Sequence, residues 1–105
     1  MSYVAKYSEA APDRAEVDAL PGVALIEFGV DWCPHCQGAQ PFIEAALTAK
    51  PELRHIKVED GPGRRLGRTF RVKLWPTLIL MRNGQEVGRV VRPASALEIA
   101  ELLAG

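Results

Sequence analysis

The sequence predicts an α/β fold, a central mixed β-sheet flanked by helices. Three observations carry this reading. Short apolar runs of strand character alternate with segments of helical periodicity along most of the chain. Two strand-like runs then flank Asn83-Gly84, the strongest short-range hairpin signal in the sequence. A capped amphipathic segment closes the chain. The resulting order, βαβαβαββα, mixes parallel crossovers with a terminal antiparallel hairpin, as helices packed on a mixed sheet require. The 105 residues are expected to form one domain, 1–105, large enough to bury a modest core without disulfide staples.

Each element has a local reason. Tyr3–Tyr7 reads as a brief strand. Pro12–Leu20 reads as a weak helix, with Pro12 suited to its start and Pro21-Gly22 closing it. Val23–Phe28 is apolar apart from Glu27 and reads as a buried strand. Cys36, Ala39, Ile43, Ala46 and Leu47 recur at helical spacing, which predicts a helix from about Cys33 to Ala49 that ends before Pro51 and kinks at Pro41. Leu53–Glu59 reads as a strand, followed by a Gly-Pro-Gly turn at 61–63 and a short helix over Arg64–Phe70. Thr77–Met81 and Glu86–Val91 form the hairpin. Ser95 with Glu98 makes a capping box for a last helix, whose apolar stripe is Ile99, Leu102 and Leu103.

Composition is that of a globular protein, with 48% apolar and 25% charged residues. Zero formal net charge gives no bulk field toward nucleic acid or a membrane surface. No apolar run approaches the roughly 18 residues of a membrane span. The N-terminus lacks a basic segment followed by an apolar stretch and a small-residue cleavage site. With Met1 in place, the expected location is cytoplasmic. The expected state is a monomer that binds neither nucleic acid nor membrane.

The two cysteines, Cys33 and Cys36, close too short a loop to staple a fold. In a reducing compartment such a pair points to catalysis or metal binding. Zinc needs about four ligands, and only His35 and His55 could add nitrogen, so the expectation is redox chemistry with no metal. A Cys-x-x-Cys pair opening a helix after a buried strand has a physical logic. Cys33 sits where unpaired backbone N–H groups and the helix dipole favour an anion, so its thiolate is the nucleophile. Cys36, a turn further in, is shielded and resolves the mixed disulfide. His35 can stabilise the thiolate by charge or hydrogen bonding, and Asp31 opposes this if it lies close.

Trp32-Cys33-Pro34-His35-Cys36 resembles the WCxxC active site of the thioredoxin superfamily, and the resemblance extends over nearly the whole chain. Pro34-His35 is similar to the DsbA-type dipeptide of that superfamily. The resemblance implies the thioredoxin fold. It also implies a helix-kinking role for Pro41, a proton-transfer role for Glu27 in place of a buried aspartate, and Lys57 as that acid's partner. Trp75-Pro76-Thr77 matches the loop whose proline would be cis and faces the cysteines. Three departures suggest a specialised groove. Trp75 stands where a smaller residue is usual before that proline. Arg92 replaces a glycine at which substrate backbone approaches. Gly29 replaces a tryptophan four positions before the first cysteine.

These readings define a protein-disulfide oxidoreductase that needs no bound cofactor. Its catalytic set is Cys33, Cys36, His35, Pro34, Glu27 and Lys57. Its substrate-binding set is Trp32, Trp75, Pro76, Thr77 and Arg92. Burial is expected to raise the Glu27 pKa and suit it to shuttle protons at Cys36. Lys57 is otherwise a surface strand residue, Trp75 otherwise core packing, and His55 an ordinary strand histidine. Arg64, Arg65, Arg68, Arg71 and Lys73 form a solvated basic face. Partners are protein disulfide or dithiol substrates and an unidentified redox partner. The Pro-His dipeptide implies a couple more oxidising than thioredoxin's, with His35 as the main cause. The alternative is a binding or chaperone-like module dedicated to one protein, motivated by Trp75 and Arg92.

Overall fold

The computed structural model describes residues 2–105; Met1, on which the expectation of an unprocessed start rests, lies outside them. The chain runs through α1 (Arg14–Asp18), β1 (Val23–Gly29), α2 (Pro34–Thr48), β2 (Arg54–Glu59), α3 (Arg65–Thr69), β3 (Thr77–Arg82), β4 (Gln85–Val91) and α4 (Ala96–Ala104). The strands form a four-stranded sheet in the order β2-β1-β3-β4. β1 pairs parallel to β2 and antiparallel to β3, and β3 pairs antiparallel to β4. This is the expected mixed sheet, and its centre is the buried run that carries Glu27. No described helix is long and apolar enough to cross a membrane.

Alternation along the strands sorts the core into two layers. Ile26 and Phe28 of β1 face one side with Val17, Val58, Leu66, Phe70, Ile79 and Met81. Leu25 faces the other with Leu78 and Leu80, under Ala39, Ile43, Ala46 and Leu47 of α2 and Ile99 of α4. Being covered on both faces, β1 reads as a continuous apolar run. Glu27 is the one polar residue to interrupt it.

The N-terminal segment departs from expectation. Tyr3–Tyr7 forms no strand, and only Ser8 makes an isolated bridge, to Val58. The reason lies in where its backbone groups go. The Val4 N–H donates to His55 Nδ1 at 2.9 Å, the Ala5 carbonyl accepts from Lys57 Nζ at 2.7 Å, and the Tyr7 N–H donates to Asp31 Oδ1 at 3.2 Å. Side chains take the place of a strand ladder.

Capping differs too. Asp13 and Glu16 form a reciprocal box at the start of α1 that the sequence reading did not name. At α4 the Ser95 hydroxyl accepts from the Glu98 N–H, but the Glu98 carboxylate accepts from Ala94 N–H, one residue short of a closed box. The hairpin turns at Asn83 (φ 50°) and Gly84 (φ 79°), the left-handed pair a two-residue turn requires.

Candidate active site

The α2 helix starts where two constraints coincide. Cys33 is its N-cap in extended conformation, and Pro34 takes the first helical position, where a missing N–H costs nothing. Cys36 lies one turn further, 1% exposed, while Cys33 is 7% exposed and at the surface end. Both are free thiols. Pro41 lies inside the helix.

Several effects act on the Cys33 thiol. Its partial burial opposes ionisation. The backbone N–H and thiol of Cys36, the backbone N–H of His35 and the charge of Arg92 outweigh this and hold its pKa below the ordinary thiol value. Of these influences, the one from His35 comes through its main chain, and the one from a cation comes from Arg92. Arg92 has φ 50°, and its side-chain Nε donates to the Trp75 carbonyl at 2.8 Å. Asp31 is turned to the Tyr7 N–H. Burial pushes Cys36 the other way, up to about 11 with a further push from Cys33.

Beneath α2, Glu27 is fully buried and surrounded by donors. His55 Nε2 lies 2.9 Å from Oε1. Gln40 Nε2 at 2.9 Å and the Tyr7 hydroxyl donate to Oε2. Lys57 Nζ is 4.0 Å away and donates to Gln40 Oε1 and the Ala5 carbonyl. Glu27 and Lys57 are register partners across β1 and β2, which places their side chains on one face. Because His55 Nδ1 accepts from Val4 N–H, the hydrogen-bond pattern assigns its ring proton to Nε2, facing Glu27.

Desolvation raises the Glu27 pKa, but these partners outweigh it and the net shift is downward. Burial thus does not raise it as expected, since a carboxylate ringed by donors keeps its charge. Burial lowers the Lys57 pKa. Lys57, 3% exposed, is no surface residue, and His55 is no ordinary strand histidine. Tyr7, Gln40 and His55 are the members of this cluster that sequence reasoning missed. Tyr7 and His55 come from segments far from the motif, and Gln40 lies in α2 with no spacing signal of its own.

Around the cysteines the Trp75–Pro76 bond is cis. Trp75 is half-buried, packs on the cluster of Tyr7, Val30, Cys33 and Cys36, and donates from Nε1 to Asp60 Oδ2 at 2.8 Å. Trp32 is 73% exposed and meets Trp75 edge-on at 6.0 Å between centroids. Thr77 is 1% exposed and its hydroxyl donates to the Leu74 carbonyl at 2.6 Å. It braces the loop from inside and does not present itself to a substrate. Of the basic cluster, Arg64 pairs with Glu59 at 3.2 Å, and Arg65, Arg68, Arg71 and Lys73 are exposed.

The family model described as Thioredoxin matches residues 6–104. The structure of thioredoxin 2 from Pseudomonas aeruginosa PAO1 in its reduced form superposes with a TM-score of 0.86 at 54% identity, covering 96% of this chain and 98% of that one. A thioredoxin of Chlamydia trachomatis serovar D is 36% identical over 70 residues, which is 67% of this chain and 69% of the relative. Thioredoxin H2-1 of Oryza sativa subsp. japonica is 32% identical over 69 residues, 66% of this chain but only 50% of that protein. The match therefore spans half the length of the rice relative. These relatives lend no support to a dedicated binding or chaperone module. With the Thioredoxin model covering nearly its whole length, the chain belongs to the thioredoxin family of thiol–disulfide oxidoreductases.

Proposed function

We propose that this chain exchanges dithiol for disulfide with protein substrates through Cys33 and Cys36. The Cys33 thiolate attacks a substrate sulfur, and the substrate's S–S bond breaks with its electron pair leaving on the other sulfur. Cys36 then loses its proton to Glu27, acting as base, and attacks Cys33 Sγ. The second substrate thiolate leaves, and two electrons have passed from the protein's dithiol to the substrate. Run backwards, the same steps oxidise a substrate dithiol. Lys57 offsets the Glu27 charge and holds Gln40. Trp32 and Trp75 offer a surface beside Cys33, the buried Pro76 fixes the backbone that follows Trp75, and Arg92 favours the Cys33 thiolate.

The observation that carries this reading is the pairing of opposite environments in one turn. Cys33 is biased toward the thiolate at a helix start, and Cys36 is buried and biased toward the thiol. A nucleophile and a reserve thiol need this difference. Reduction of insulin disulfides by dithiothreitol tests it. Catalysis is expected from the wild type, a loss of at least about a hundredfold in Cys33→Ser, and a trapped mixed disulfide in Cys36→Ser. Equal activity in wild type and Cys33→Ser contradicts the reading.

A further inference from the structure

Gly29 and Tyr7 compete for one space. A β-carbon on Gly29 would meet the Tyr7 hydroxyl oxygen and the Cys36 sulfur, each at 2.6 Å. The tip of the phenol and the thiol therefore adjoin in the notch a side chain at 29 would fill. Tyr7 reaches it from the N-terminal segment, pinned by its N–H on Asp31 and by the neighbouring Ser8 bridge. Lys57 Nζ lies 4.6 Å from its ring centroid. The hydroxyl donates its proton to Glu27 Oε2. Its oxygen keeps lone pairs free to accept, and the Cys36 thiol lies beside it, in a side-chain contact that favours the Cys36 thiolate.

We propose that Tyr7 relays the proton between the resolving Cys36 thiol and the Glu27 carboxylate, and that Gly29 is there to admit it. The proposal rests on Glu27 being the proton acceptor in the exchange reaction. In the resolving step the Cys36 S–H bond breaks and its proton passes to the Tyr7 oxygen. The Tyr7 O–H bond breaks in turn, and that proton passes to Glu27 Oε2. Cys36 becomes a thiolate, Tyr7 remains a neutral phenol, and Glu27 becomes a carboxylic acid. The thiolate's electron pair forms the bond to Cys33 Sγ, and the bond from Cys33 to the substrate breaks with its pair on the leaving sulfur. One negative charge moves from the carboxylate to the substrate thiolate.

Two further observations support the relay. Burial and the Glu27 charge hold the Tyr7 phenol well above its ordinary pKa, so it acts by exchanging protons and not by ionising. Cys33 is one of the causes that push Cys36 up, and that push ends once Cys33 is tied up in a mixed disulfide. The titratable groups facing this cluster are Tyr3 from the N-terminal segment, Glu27 from β1, His55 and Lys57 from β2, Asp31 and Cys33 ahead of α2, and Arg92 after β4.

The test is a stopped-flow reaction of the reduced protein with an aromatic disulfide that releases a coloured thiolate. One equivalent appears when Cys33 attacks and a second when Cys36 resolves. Tyr7→Phe is expected to leave the first release within about twofold and to slow the second by roughly tenfold or more at neutral pH. The second phase should recover toward wild type at high pH, where Cys36 ionises unaided. The double variant Tyr7→Phe/Glu27→Gln should be no slower in this phase than Glu27→Gln alone. Gly29→Ala, whose β-carbon would meet both the Tyr7 hydroxyl and the Cys36 sulfur, should slow the same phase, and Tyr7→Phe, which leaves the sulfur in place, separates the relay from a displaced thiol. An unchanged second phase, or equal slowing of both phases at every pH, overturns the relay. If Glu27→Gln slows resolution while Tyr7→Phe does not, the relay fails and the role of Glu27 stands. If neither slows it, both fail.

Discussion

At the scale of single residues, the chemistry turns on which groups touch Cys33. The Pro-His dipeptide invites the view that the imidazole sets the thiolate's stability. The structure gives that part to backbone N–H groups, which any residue at 35 supplies, and to the Arg92 guanidinium. His35→Ala should therefore move the Cys33 titration less than Arg92→Gln, which should raise it. A thiolate that is less stable in the reduced form makes the couple less oxidising, so Arg92→Gln should also lower the redox potential, by a few tens of mV at about 30 mV per tenfold. Ultraviolet titration of the thiolate, with equilibration against glutathione, checks both. A larger shift in His35→Ala than in Arg92→Gln would restore the imidazole as the tuner.

At the scale of elements, legibility followed the range of the interactions. The strand through Glu27, the helix opening at Cys33, the Pro41 position and the Asn83-Gly84 hairpin were all readable, because their signals are local: apolar runs, proline geometry and turn chemistry. The segment Tyr3–Tyr7 was misread. Its alternation suits a strand, but its backbone groups are claimed by His55, Lys57 and Asp31, partners 24 to 52 residues away. The same distance hid the functional cluster. Nothing in the sequence near Glu27 announces that His55, Gln40 and Tyr7 will donate to it, so burial alone suggested a raised pKa. Thr77 was assigned to the substrate side because of its place in the loop, whereas a rotamer turned onto the Leu74 carbonyl puts it inside.

At the scale of the whole molecule, Glu27 ties stability to pH. Its folded pKa lies below the ordinary 4.5, so the stabilisation it supplies is present above that value and is lost as pH falls through the folded value. Glu27→Gln should cost about 3 kcal/mol at neutral pH, since it leaves the buried Lys57 without its counter-charge. It should also flatten the fall in stability on acidification. Denaturant unfolding of both proteins from pH 7 to pH 3 measures this, and a wild-type loss no steeper than the variant's contradicts it. Glu86, also held down by Arg89, acts equally in both proteins and cancels in the comparison.

The most direct test of dithiol–disulfide exchange is a redox titration of the pair itself. The protein is equilibrated across glutathione mixtures, quenched in acid and weighed by mass spectrometry. The account predicts reversible loss of two hydrogens within one chain, a two-electron curve, and a Cys33–Cys36 disulfide as its only product. Its midpoint should lie between the roughly −270 mV of thioredoxin and the roughly −120 mV of DsbA. Thiols that remain free across the whole range, or that bind only glutathione without closing on each other, would contradict it.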